Sequence, residues 1–356
     1  MRVLAITHSL GRNGAALCLY DLLCAVRQWG GSADVLYAGD EALKPKLLEQ
    51  GIGIVQSAGS GDYDVALVNT LLDHGQVPEA AGLLPVVFWV HEGLTLLANQ
   101  MEQAPLWTRA FAASSRIVFQ TAWQSSEVFR SFLANVAPRR VEIVPPAVSA
   151  PVLQAGPVPL RALHSGEASN ILSVGGVYPR KRPGDLVRSV VALAAQGLNV
   201  HCTLVGSLAA LQRNDASMLE LLRSHAHLFT LTGEIEREQV VAQMRQADVF
   251  CCASGDESFS MAVLDAAAMG LPMALSDLPG TRDLWRHGVN ALLAPVGAED
   301  CLAWNLRALA QDRQLAARLA QAAVAAARPF SQQIFLQRMT GVLRQAIADP
   351  LAAFGQ

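Results

Sequence analysis

The sequence predicts two parallel α/β units, each a sheet covered by helices, and three observations lead there. Short apolar runs alternate with helical patterns along the whole chain, as they do where parallel strands are covered on both faces. The alternation lapses once, from Pro145 to Ala168, where prolines stand at 145, 146, 151, 157 and 159. The length of 356 residues, 52% of them hydrophobic and 16% charged, suits about two well-cored domains.

In the first half, Arg2 to Thr7, Ala33 to Tyr37, Val65 to Asn69, Val86 to Val90, Ile117 to Gln120 and Val141 to Val144 read as strands. Ala15 to Gln28 reads as a helix, since Leu19, Leu22, Leu23 and Val26 fall on one face. Beyond the proline-rich stretch, Ile171 to Val174, Cys202 to Val205, Phe229 to Leu231, Val249 to Cys252 and Pro272 to Leu275 repeat the pattern. Gln332 to Ala348 reads as a separate amphipathic helix, with Ile334, Phe335, Met339, Val342, Leu343 and Ile347 in one apolar stripe. The expected domains are 1–150 and 169–330, with a linker over 151–168 and a terminal segment over 331–356. Open α/β sheets bind ligands beyond the carboxyl ends of their strands, which places the expected site in the cleft between two facing domains.

Composition narrows the function. Twenty-seven basic against 30 acidic residues give a formal charge of −3 with no run of either sign, which argues against a nucleic-acid surface. Six cysteines show no C-x-x-C pair and read as reduced core thiols of a cytosolic protein. The opening apolar run is too short for a signal peptide. No apolar stretch approaches the roughly 18 residues of a membrane span, which leaves peripheral membrane contact open.

Four groups could carry chemistry. Glu257 and Asp265 lie about two helical turns apart, one in a loop and one inside the helix it opens. Two acids facing one cleft suit a polyhydroxyl ligand, and the adjacent helix start suits an anion; a solvated helix face is the plain alternative. Gly175-Gly176 and Arg180-Lys181-Arg182 follow a strand and offer either a phosphate clamp or a basic surface turn. Gly11 to Ala15 makes a glycine-containing strand-to-helix turn, without the G-x-G-x-x-G of a nicotinamide site. His91 and Glu92 follow the strand Val86 to Val90, where the histidine either meets a ligand or fills a cap or core position. The remaining histidines considered, His74, His164, His201, His225, His227 and His287, form no pair at metal-ligand spacing, and no G-x-S-x-G elbow is present.

Together these residues resemble the retaining glycosyltransferases of family 4, whose fold is GT-B, two facing Rossmann-like domains with the donor in the cleft. The resemblance spans nearly the whole chain and implies an acceptor-binding first domain and a nucleotide-sugar-binding second one. It implies that Glu257 contacts the donor sugar, that Asp265 holds the ribose, and that the amides of Phe259, Ser260 and Met261 face sugar and phosphate. Lys181 matches the second cation of the family's diphosphate pair; Gly176 stands where the first belongs, so that Arg180 or Arg182 substitutes. Gly14 matches the family's N-terminal glycine turn, His91 its cleft histidine, and Val144 to Val148 its hinge. Further departures are Ser258 and Ser260 in place of glycines and Asp265 in place of glutamate.

The implied activity is metal-independent transfer of a hexosyl group, with retention, from a nucleotide diphosphate sugar to a glycan or lipid-linked acceptor. The sugar nucleotide is substrate, so no cofactor is expected. Glu257, His91 and Lys181 are the expected catalytic residues, in bacterial surface glycan synthesis at or near the inner membrane face. The leaving phosphate is expected to take the acceptor's proton without a side-chain base. The alternatives are another GT-B enzyme, such as a nucleotide-sugar epimerase or phosphorylase, and a non-catalytic nucleotide-binding partner subunit.

Overall fold

A computed structural model describes residues 1–59, 62–161 and 167–351. Its chain divides into two units, one made of Met1–Pro146 with the terminal segment from Gln332, the other of Ala147–Ser331.

The first unit holds a seven-stranded parallel sheet: β1 (Arg2–Thr7), β2 (Ser32–Tyr37), β3 (Gly53–Ile54), β4 (Val65–Asn69), β5 (Val86–Val90), β6 (Arg116–Phe119) and β7 (Val141–Ile143). The order is β3-β2-β1-β4-β5-β6-β7. All five residues of β4 and of β5 are buried, which is why they read as unbroken apolar runs. The helix Gly14–Gln28 buries the expected Leu19, Leu22, Leu23 and Val26.

The second unit repeats the plan with six parallel strands: β8 (Ser169–Val174), β9 (Val200–Val205), β10 (Phe229–Gly233), β11 (Val249–Cys252), β12 (Met273–Ser276) and β13 (Leu292–Ala294). Their order is β10-β9-β8-β11-β12-β13. In each sheet the winding reverses at one place, between β1 and β4 and between β8 and β11, and such a reversal splays the following loops apart to leave a crevice. Thr7 is in register with Asn69 at the first reversal, and Leu172 with Phe250 at the second.

Three features differ from the sequence expectations. The edge strands β3 and β13 had no counterpart in the sequence reading, although β7, an edge strand no longer than β13, did. The division falls after Pro146 rather than 150, and the described part of 151–168 packs within the second unit. Pro151 sits in the first turn of a helix, Ala150–Ala155, that buries Val152. The Val158 amide donates to the Met269 carbonyl at 2.9 Å, and Arg161 grips the buried Asp248 at 2.6 and 3.1 Å. Residues 162–166, including His164, and 352–356 lie outside the described residues.

The helix Gln332–Ala348 belongs to the first unit, beside Gly14–Gln28, β4 and β5. Phe335, Met339, Val342 and Leu343 are buried, and Phe335 lies 5.8 Å from the Trp89 ring. Ile334 is instead 45% exposed; Thr340 and Ala346 complete the inner face.

Candidate functional site

Within the second unit, the loops after β8 and β11 meet at the reversal of the sheet. Gly175 and Gly206 end neighbouring strands so closely that a Cβ on Gly206 would lie 2.3 Å from the Gly175 carbonyl oxygen. At Gly176 a Cβ would lie 2.3 Å from the Tyr178 ring, so the aromatic fills the space a larger residue at 176 would take. Pro179–Lys181 then makes one tight turn, and Arg182, at φ 48°, leads into the helix Pro183–Ala195.

This geometry splays the three cations. The Lys181 ammonium pairs with Glu257 Oε1. Arg180 donates to the Asp256 carbonyl, stands 3.8 Å from Glu257 Oε2, and lies 5.6 Å from the centre of the Tyr178 ring. Arg182 turns away to Asp185 at 2.6 and 3.1 Å, and Asp185 also receives Arg188 at 3.2 Å. Of the two arginines offered as substitutes for a cation at 176, the structure brings Arg180 to Glu257 and commits Arg182 elsewhere.

Glu257 is 8% exposed. Its Oε1 accepts the Ser254 hydroxyl at 2.7 Å, and the Gly255 amide donates to the Arg180 carbonyl at 2.9 Å, tying the two loops together. Burial opposes ionisation of Glu257, but attraction to Lys181 and then Arg180 outweighs it and holds the carboxyl below its usual range. Burial likewise opposes the charge on Lys181, and Glu257 more than restores it. Both groups are therefore ionised at neutral pH.

The helix Met261–Ala268 starts beside this pair with no side-chain cap at Ser260. Phe259 packs on Phe330 at 5.7 Å. Asp265, in the second helical turn, accepts the Ser149 amide at 2.8 Å.

Within the first unit, the matching reversal carries a different set of groups. Asn13 caps the helix that Gly14 opens, accepting the Ala16 amide at 3.0 Å. His91 is clamped by two amide side chains: its Nε2–H donates to Asn69 Oδ1 at 2.8 Å, and its Nδ1 accepts from Gln120 Nε2 at 2.9 Å. The orientation of those amides assigns the tautomer. Burial, with a smaller contribution from His8, pushes the His91 pKa down to about 3. Glu92 accepts the amides of Leu71 at 2.8 Å and His91 at 3.0 Å, while burial pushes its carboxyl above the usual range. Beside them, His8 Nδ1 lies 3.1 Å from Asp73 Oδ2 and 2.9 Å from Thr70 Oγ1.

Sequence reading overlooked Tyr178 and Ser254 in the second unit, and His8, Asn69, Thr70, Asp73 and Gln120 in the first. A signal existed for most of them, since each is polar and stands at or within a few residues of the carboxyl end of an apolar run. Among the described residues, no group of three or more His, Cys, Asp or Glu side chains is placed to hold a metal ion. No helix among them is long and apolar enough to cross a membrane.

Comparison with known proteins places these features. Residues 162–325 match the family of glycosyl transferases group 1. The D-inositol 3-phosphate glycosyltransferase of Thermobispora bispora is 26% identical over 246 residues, which cover 66% of this chain and 56% of that one. The chain thus spans little more than half the length of that relative. Among solved structures, Anabaena Alr3699/HepE in complex with UDP and glucose superposes with a TM-score of 0.78 at 19% identity, covering 97% of this chain and 99% of that one. Sucrose-phosphate synthase (tll1590) from Thermosynechococcus elongatus gives 0.76 at 17% identity, covering 98% and 100%. The fold is accordingly α/β with two Rossmann-like units of the GT-B kind.

Proposed function

We propose that this protein is a retaining glycosyltransferase that moves a hexosyl group from a nucleotide diphosphate sugar to a hydroxyl of a glycan or lipid-linked acceptor. The observation that carries the reading is the buried Lys181–Glu257 pair, with Arg180 beside it, at the reversal of the second sheet. An ammonium has three donors, so Lys181 can hold Glu257 and still reach a phosphate. Arg180 supplies the second cation. Glu257, kept ionised, accepts sugar hydroxyls and stabilises positive charge developing at the anomeric carbon. The amides of Phe259, Ser260 and Met261 lead into a helix start that favours an anion. Asp265 receives the ribose hydroxyls. His91, neutral and fixed by Asn69 and Gln120, acts as an oriented polar surface.

Further support comes from what resembling proteins are named for, glycosyl transfer to an inositol phosphate in one case and complex formation with UDP and glucose in another. Cations and helix start neutralise the leaving diphosphate, so transfer proceeds without a metal ion. The setting we infer is bacterial surface glycan synthesis at the inner face of the membrane.

The test is calorimetric titration with UDP, GDP, ADP and their sugars, followed by NMR of the anomeric configuration of products formed in excess chelator. Lys181→Ala should lose about 1.5–3 kcal/mol of donor affinity, or about 10- to 150-fold. Unchanged nucleotide binding in that variant overturns the assignment of Lys181. Binding with no transfer to any acceptor makes the chain a nucleotide-binding partner subunit, and full activity loss restored by one divalent ion overturns metal independence.

A further inference from the structure

We propose that Tyr178 is a positioning residue of the second unit, whose ring aims the Arg180 guanidinium at the diphosphate of the donor. The inference rests on the function proposed above and goes beyond it by naming what makes Arg180 fit to serve as the second cation.

An arginine on a loop is a weak anion ligand unless something holds it, because its long side chain gives up rotamer freedom when it is fixed. A group that holds it before the ligand arrives removes that cost from binding. The chain builds such a group two residues upstream.

Tyr178 precedes Pro179 and is extended, at φ −138° and ψ 159°, as a residue before proline tends to be. Its amide donates to the Gly176 carbonyl at 3.0 Å, and its own carbonyl accepts the Lys181 amide at 2.9 Å. The ring folds back over Gly176, where a Cβ would lie 2.3 and 2.7 Å from two ring carbons. Only a residue without a side chain admits the ring there.

Arg180 meets this ring. Its guanidinium carbon lies over the ring at 5.6 Å from the centre, within cation–π range, and its Nη2 donates to the Tyr178 hydroxyl at 3.3 Å. From the loop after β11, the Asp256 carbonyl accepts Nη1, and the Gly255 amide donates to the Arg180 carbonyl at 2.9 Å. Ring and loop thus hold the guanidinium from two sides.

The donors left over decide what it can bind. A guanidinium has five N–H groups; two are spent on Asp256 and Tyr178, and the others have no partner among the described residues. Glu257 Oε2, at 3.8 Å, attracts the guanidinium without taking a hydrogen bond from it. Lys181 spends one of its three donors on Glu257. Both cations keep partial access to solvent, with side chains 33% and 20% exposed. Two cations against one carboxylate leave a positive charge and several free N–H groups, which suits an anion with many oxygens. Arg182 adds nothing to this set, since Asp185 holds it.

The experiment is calorimetric titration with UDP, GDP and ADP, taking as probe the one the parent binds. It compares the parent with Tyr178→Leu, Tyr178→Phe, Arg180→Ala and the combination of Tyr178→Leu with Arg180→Ala. Leucine keeps bulk at 178 and removes the π face. Arg180→Ala should weaken nucleoside diphosphate binding about 10- to 150-fold. Tyr178→Leu should weaken it about 3- to 30-fold, and Tyr178→Phe, which keeps the face, by less. In the Arg180→Ala background Tyr178→Leu should cost no further affinity, a result that a residue merely shaping the loop around Lys181 would not give. If Tyr178→Leu does not fold, Gly176→Ala, which pushes the ring off the backbone, carries the same comparison. Full affinity in Tyr178→Leu, the same loss with Arg180 absent, or a loss in Tyr178→Phe as large as in Tyr178→Leu overturns the inference alone. A parent that binds none of the three nucleotides overturns the proposed function and this inference with it.

Discussion

The two sheets reverse their winding in the same way, yet they solve the problem of a polar crevice differently. Beyond β8 and β11 the groups are ionised and paired, the buried Glu257 against the partly exposed Lys181 and Arg180, which leaves one positive charge over. Beyond β4, β5 and β6 burial works the other way on titration, and His91 stays uncharged between two amides. Isolated charge is expensive in a poorly solvated place, so it must be paired or titrated away. The contrast supports the reading proposed above, in which an anion meets the charged crevice of the second unit and the uncharged His91 offers polar contacts in the first.

The largest test of this contrast asks whether the units differ in what they need from the rest of the chain. Truncation before Gln332 removes Phe335, Met339, Val342 and Leu343 from the first unit only. At about 1.5–3 kcal/mol for each buried side chain as an upper bound, the loss rivals the whole stability of many domains. The truncated protein should lose the unfolding transition of the first unit in calorimetry. Retention of the full thermogram would show that the helix is dispensable.

Next in size is Glu257→Ala, which leaves Lys181 and Arg180 side by side without their counter-charge. Lys181 and Arg180 keep access to water, so the cost is below that of breaking a fully buried pair, about 1–3 kcal/mol, measurable as a lower urea midpoint. The folded-state carboxyl titrates below its ordinary value of 4.5. Its contribution is therefore present above that value and lost as pH falls through the folded-state pKa. The parent's advantage over the variant should shrink in acid, and an advantage constant down to pH 2 would mean the pair is not ionic.

Gly176→Ala should cost about 1–3 kcal/mol by overpacking against the Tyr178 ring. In a Tyr178→Ala background the same change should cost nearly nothing. A double-mutant cycle without coupling would separate the two residues.

His91→Gln should shift stability least, within about 1 kcal/mol at neutral pH. Its sign is diagnostic. A histidine whose folded pKa is about 3 contributes stability fully above its unfolded value of 6.5 and loses it as pH falls toward 3. The parent should therefore lose ground to the variant over that interval, and parallel pH profiles would contradict a neutral His91.

Much of this architecture was legible in the sequence. Arg2–Thr7, Val65–Asn69, Val86–Val90 and Val249–Cys252 were read to the residue, because strands covered on both faces are apolar throughout and end where polarity returns. The edge strands Gly53–Ile54 and Leu292–Ala294 were not, although Val141–Ile143, no longer than the second of them, was. Proline density suggested a linker where Pro151 in fact starts a helix. At the candidate site, Lys181 and Glu257 were each singled out in loops at strand ends, but their meeting depends on β8 and β11 being neighbours, which the sequence does not state. That Arg182 turns to Asp185 depends on a left-handed φ that one arginine among three does not announce. Apart from His91 and Glu92, the polar network of the first unit escaped notice, because its members are single polar letters at or just after the ends of separate strands, joined only when the sheet forms.

The terminal helix also has a consequence for how the chain is made. The first unit begins to emerge from the ribosome before the second, yet it lacks Gln332–Ala348 until the second unit has been made. The second unit is continuous, from Ala147 to Ser331, and has all its strands beforehand. Closing a long loop adds little to the thermodynamic cost, so the effect is on timing. The apolar surface around Trp89 that Phe335 later covers stays open during translation of the whole second unit, and the half of the protein made first is the half finished last.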